Sequence, residues 1–154
     1  MYVWRICSKK YRDMAFSGIG GLCTQSRWLP KGYPVVYTAE SLALASLEVF
    51  VHTTESSSIP SVAIRALIQD NIAIEAIDLN ILPPNWQEES AYPQLQAIGE
   101  EWIKSQRTPI LKVPSAIIPV EFNYILNPEH PDLEFQCDLE MDFKFDRRMW
   151  KSSN

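Results

Sequence analysis

The sequence predicts one α+β domain, a mixed fold in which strands and helices do not alternate strictly. Three observations carry that expectation. At 154 residues the chain is long enough to bury one real core. With 46% hydrophobic and 21% charged residues it has the composition of a folded chain rather than a disordered one. Its periodic segments run strand, loop, strand, helix, several strands, helix, strands. That order argues against a doubly wound parallel sheet, and no repeat or low-complexity segment divides residues 1–154 into smaller units.

Each element follows from local pattern. The opening MYVWRICS alternates as a strand, with Val3 and Arg5 on one face and Trp4 and Ile6 on the other. Residues 11–34 read as loop, because Gly18, Gly20, Gly21, Pro30, Gly32 and Pro34 punctuate them. VVYTA is a short strand ending at Tyr37 or Thr38, after which Thr38 or Ser41 caps a helix from about Leu42 to His52. Thr53–Pro60 is a polar, turn-forming linker. SVAIRALI and IAIEAIDL read as two strands joined into a hairpin through QDN. Pro83 and Pro84 keep the next segment a loop. Leu95, Ile98, Trp102 and Ile103 then recur at helical spacing, predicting a helix laid on the sheet. Pro114 and Pro119 interrupt a pair of β runs that NPEHP closes. Leu139, Met141, Phe143 and Phe145 alternate with charged neighbours as a half-solvated last strand.

Charge and composition exclude several classes. A net charge of −5 argues against a protein that binds nucleic acid directly through a basic face, although one local basic site remains possible. The N-terminus interleaves charges with apolar residues, unlike a secretory leader, and no apolar window reaches membrane-spanning length. Cys7, Cys23 and Cys137 are odd in number and scattered, and His52 and His130 stand alone. The expectation is therefore a cytoplasmic protein with reduced thiols, no metal and no membrane association. There is no GxxxxGK[ST], GxGxxG or GxSxG motif, and the glycines at 18–21 alone point to nothing.

Six polar residues stand at the ends or edges of apolar runs: Arg5, Arg27, Tyr37, Glu48, Ser115 and Asn123. Each has a plain structural reading. Arg5 can snorkel, or pair with Glu48; Arg27-Trp28 can be a solvated loop with one aromatic anchor; Tyr37 can be a half-buried strand residue; Ser115 can be a turn residue after proline. Glu48 is the hardest to explain this way. It stands among Leu42, Ala43, Leu44, Leu47, Val49 and Phe50, where an unpaired buried carboxylate costs several kcal/mol. Such a group neutralises, finds a partner or lines a cleft.

Taken in order, VWRICS, then GGLCTQSRWLPKGYPVVYTAESLALASLEVFVH, then PSAIIPVEFNYILNPEHPD, and finally FKFDRR resemble the RES domain family. Its members are toxins of RES–Xre toxin–antitoxin modules. Ser26 and Leu29 depart from the pattern, standing where members often carry glycine and asparagine. The resemblance implies an ADP-ribosyltransferase-like fold and an enzyme for which NAD⁺ is substrate rather than cofactor. That enzyme is a glycohydrolase if water is the acceptor and a phosphorylase if inorganic phosphate is. It implies Glu48, Arg27 and Tyr37 as catalytic residues, with Arg5, Arg27, Tyr37, Ser115 and Asn123 binding substrate. It also implies a cognate Xre-type antitoxin as partner, with a homodimer plausible. Two other readings stay open: ADP-ribosyl transfer to a macromolecule, and a non-catalytic binding module held by a structural Arg5–Glu48 pair.

Overall fold

The computed structural model describes residues 1–54 and 59–150. Among the described residues, seven strands form one sheet in the order β4-β5-β6-β2-β1-β3-β7. β1 is Tyr2–Ser8, β2 is Val36–Ala39 and β3 is Ser61–Ile68. β4 is Ile74–Ala76, β5 is Ile110–Pro114, β6 is Phe122–Leu126 and β7 is Phe135–Phe143. All neighbours pair antiparallel except β4 and β5, which run parallel.

Among the described residues there are three α-helices, α1 at Ile19–Cys23, α2 at Leu42–Phe50 and α3 at Tyr92–Ser105, besides short 3-10 segments such as Lys9–Met14. Ser41 is the cap of α2, accepting from the Leu44 N–H at 3.0 Å. Thr38 is buried instead, and its hydroxyl donates to the Tyr124 carbonyl. α3 starts earlier than its apolar spacing suggests, because Pro93 fits the first helical turn, where no intrahelical N–H partner is needed.

Ala39, Asn123 and Val113 stand opposite one another on β2, β6 and β5 and so share one face of the sheet. Both long helices cover that face. α2 sets Leu44 and Ala45 against Ile6, Ala39 and Ala63, while α3 sets Leu95, Trp102 and Ile103 against Leu111, Val113 and Ile125. The opposite face buries Val3, Val36, Ala66, Ile68, Ile110 and Leu126.

Four expectations change. The hairpin between SVAIRALI and IAIEAIDL does not form, since β3 pairs with β1 and β7 while β4 lies at the far edge beside β5. A parallel pair needs a crossover, and α3 supplies it. The glycine-rich loop contains a helical turn, α1, in which Gly21 lets the chain pass: a Cβ there would lie 2.3 Å from the Tyr33 carbonyl oxygen. Tyr37 lies inside its strand rather than at its end. The last strand begins at Phe135 and is an edge strand, exposed over most of its length with Leu139 and Met141 uncovered. Of the expected linker, residues 55–58 lie outside the described residues.

Candidate active site

The site lies where β1 and β2 part. Trp4 opposite Ala39 is their one register pair, and beyond it the Arg5 guanidinium reaches across, donating from Nη1 to the Tyr37 carbonyl at 2.8 Å. Its Nε–H is buried without an acceptor, and burial holds its pKa below the usual arginine value. A Cβ on Gly20 would come within 3.7 Å of Nη2, so α1 closes over the guanidinium with no side chain between. A guanidinium that lines a cavity and, among the described residues, forms no ion pair with a carboxylate suits an anion.

Arg5 and Glu48 both line a cavity of about 550 Å³ together with Arg27, Tyr37 and Asn123. The Arg5–Glu48 ion pair considered from sequence does not form. Glu48 Oε1 instead accepts from Ser115 Oγ at 2.8 Å and from Asn123 Nδ2 at 2.7 Å. Among the described residues no donor reaches Oε2, which is left for a ligand. Ser115 is fully buried behind the carboxylate. Its Oγ receives the Ile117 and Ile118 N–H groups, both at 3.1 Å, so its single hydrogen points to Glu48.

Arg27 lines the same cavity. Nη1 donates to the Trp86 carbonyl at 2.8 Å, and the guanidinium lies over the Tyr92 ring, 5.1 Å from its centroid. The loop carrying it is held from below. Trp28 and Leu29 are buried in the α3 cluster, and Gln96 Nε2 donates to the Ser26 carbonyl at 2.7 Å. Tyr37 reaches the same loop through a close hydroxyl contact with Ser26. Burial pushes the Tyr37 phenol up to about 12, with the Ser26 hydrogen bond pulling the other way.

All six residues singled out from sequence therefore converge, five on the cavity wall and Ser115 directly behind it. Sequence reasoning missed Tyr92, the platform under Arg27, and Ser26, noticed only as a departure. It also left unused His52, on the cavity rim just past α2. The Ser26 signal was legible as a serine two and three residues before backbone N–H groups it can cap. Tyr92 carried no local signal, since it meets Arg27 only through the fold. Among the described residues no cluster of His, Cys, Asp or Glu is placed to hold a metal ion, and no helix is long and apolar enough to cross a membrane.

Comparison with known proteins gives the family and the fold. Residues 2–146 match the RES domain. The chain is 34% identical over 154 residues to Toxin Res of Photorhabdus laumondii, covering 99% of both. It is 37% identical over 135 residues to a Prs ADP-ribosylating toxin of Sphingobium, covering 84% of this chain and 83% of that one. In fold it is similar to a chain in the crystal structure of the M. tuberculosis MbcT–MbcA toxin–antitoxin complex, with a TM-score of 0.71 and 18% identity over 92% of this chain and 83% of that one. The mixed α+β architecture expected from sequence is the one found, and it is the fold of that chain.

Proposed function

The chain belongs to the RES domain family, and from that premise we propose that it is a toxin that degrades NAD⁺ by cleaving the nicotinamide–ribose bond. The observation that carries this reading is Glu48: a carboxylate with one oxygen fixed by two donors and the other left to a cavity that also holds two arginines.

The chemistry asks for little more. The nicotinamide nitrogen of NAD⁺ already carries positive charge, so the C1′–N bond breaks with its electron pair moving to that nitrogen and the base leaves neutral. No general acid is needed, in contrast with ordinary glycoside hydrolysis. Positive charge develops on the ribose, and Glu48 faces it. At roughly 4 Å and an effective dielectric of about 20 the attraction is about 4 kcal/mol. Only the part that grows toward the transition state accelerates the reaction, which makes a contribution of about 10²- to 10³-fold reasonable. An acceptor oxygen, from water or inorganic phosphate, then bonds C1′ and releases its proton to solvent.

Arg5 and Arg27 are assigned to the pyrophosphate, Arg5 as a guanidinium on the cavity wall and Arg27 as one already oriented on Tyr92. Tyr37 serves the nicotinamide end. Ser115 and Asn123 hold Glu48 in place; the sequence-based assignment of Ser115 to substrate gives way to a positioning role, because its hydrogen is committed to the carboxylate. No further cofactor is part of the proposal.

The test is chromatography of NAD⁺ incubated with the purified protein, with and without inorganic phosphate. Nicotinamide plus ADP-ribose identifies a glycohydrolase, and phosphate-dependent ADP-ribose phosphate a phosphorylase. NAD⁺ recovered intact from folded protein overturns the reading. The Sphingobium relative named as ADP-ribosylating favours a second acceptor, a macromolecule. Label from ³²P-NAD⁺ retained on a macromolecule selects it. The proposal extends to an Xre-type antitoxin partner in the cytoplasm, with a homodimer within the complex; co-purification followed by light scattering measures both.

A further inference from the structure

We propose that Ser26 is a positioning residue that fixes the Tyr37 phenol as a hydrogen-bond donor toward the cavity. The inference rests on the NAD⁺ reading of the same site and adds a residue to it.

The argument is an inventory of hydrogens. A serine hydroxyl has one hydrogen and two lone pairs. Ser26 Oγ receives the Trp28 N–H at 3.2 Å and the Leu29 N–H at 3.1 Å, which occupies both lone pairs. Its own hydrogen must go outward, and two acceptors are within reach. The Leu29 carbonyl is 3.4 Å away, long for an O–H donor, whereas the Tyr37 hydroxyl is in close contact. Ser26 therefore donates to Tyr37. The phenol oxygen is left with its own hydrogen free, in a residue that lines the cavity.

The same device occurs a second time in the same site. Ser115 Oγ takes two backbone N–H groups from the residues two and three places on, and spends its hydrogen on Glu48. Two serines, each locked by its own turn, thus set the hydrogen-bond roles of the two side chains nearest the reacting end: Glu48 as acceptor, Tyr37 as donor. Burial keeps the proton on the phenol and raises its pKa, against the smaller pull of the bond accepted from Ser26. A neutral donor suits the carboxamide oxygen of nicotinamide, and it cannot repel the anionic half of the dinucleotide.

A merely structural Ser26 would hold the Arg27 loop and nothing else, so the test separates the two roles. Ser26→Ala is made in the wild-type protein and in Tyr37→Phe, and kcat/KM for NAD⁺ is measured in all four. Loss of one hydrogen bond predicts a fall of about three- to tenfold in the wild-type background. In the Tyr37→Phe background Ser26→Ala should cost less, only what losing the Trp28 and Leu29 caps costs the Arg27 loop, and in the protein that keeps Tyr37 Ser26→Thr should hold the wild-type value. An equal fall in both backgrounds, or none in the wild type, overturns the proposal. If the wild-type protein leaves NAD⁺ intact, the NAD⁺ reading fails by itself and Ser26 is judged on the ligand-free protein. There the ¹³Cζ-tyrosine resonance of Tyr37 moves with Ser26→Ala and returns with Ser26→Thr if the bond exists; an unmoved resonance overturns it.

Discussion

Glu48 receives both of its side-chain hydrogen bonds on one oxygen, and that asymmetry separates the catalytic role proposed for it from its role in the fold. Glu48→Gln keeps a carbonyl oxygen where Ser115 and Asn123 donate, and replaces only the free oxygen and the charge. Turnover should fall about 10²- to 10³-fold. Thermal stability should stay within about 1 kcal/mol of wild type, since no buried group loses its partner. A Glu48→Gln protein with near-native turnover removes the residue from the chemistry. Ser115→Ala behaves differently because the serine is fully buried. It strips the partner from the Ile117 and Ile118 amides as well as one donor from Glu48. Stability should drop by about 1–3 kcal/mol along with the rate. Denaturant titration beside a turnover assay checks the pair: rate loss without destabilisation would mean that Ser115 touches substrate after all.

At the scale of elements, the site depends on how closely α3 approaches the loop that carries Arg27. Gly99 makes that approach possible. A Cβ there would lie 1.8 Å from the Trp28 carbonyl oxygen and 3.0 Å from Leu29 Cγ. The clash is with backbone, which cannot rotate away, so Gly99→Ala should destabilise by about 3 kcal/mol, at the upper end of overpacking costs. It should also push the Arg27 loop off its seat and raise KM for NAD⁺ more than it lowers kcat; a rise confined to stability would show that the loop tolerates the shift. None of this closeness is visible as spacing. The apolar pattern of α3 announced a helix lying on the sheet, and Leu95, Trp102 and Ile103 do lie there. Period-two runs likewise announced the strands, because alternation reports a face. They could not announce partners. Ser61–Ile68 and Ile74–Ala76 are adjacent in sequence and look like a hairpin, yet the shorter run pairs in parallel with β5 across the α3 crossover. The candidate residues were legible as polar interruptions and as a family pattern; the division of labour among them was not, since it depends on which hydroxyl hydrogen points where.

At the scale of the molecule, the proposed function asks a chain of net charge −5 to bind a dinucleotide whose pyrophosphate is also negative. The resolution is local. Where β1 and β2 part, the buried Arg5 head is denied a carboxylate partner and Arg27 is parked on an aromatic ring and backbone carbonyls, so both cations remain available to an anion. α2 and the Arg27 loop, both on one face of the sheet, form the walls between which the ligand would lie. Ligand binding and folding are then coupled: a ligand bridging α2, β1, β2 and the loop stabilises the native state as a whole. For NAD⁺ at about a hundred times its Kd, linkage gives about 2.7 kcal/mol. In a domain of this size each kcal/mol raises Tm by about 2–4 °C, so the expected rise is about 5–10 °C. Glu48→Gln is the protein to use, because it keeps the pocket and spares the ligand. Arg5→Ala made on top of Glu48→Gln should abolish most of the shift. A shift that is absent from Glu48→Gln, or undiminished when Arg5 is removed, would mean that the cavity between the parted strands does not hold the pyrophosphate.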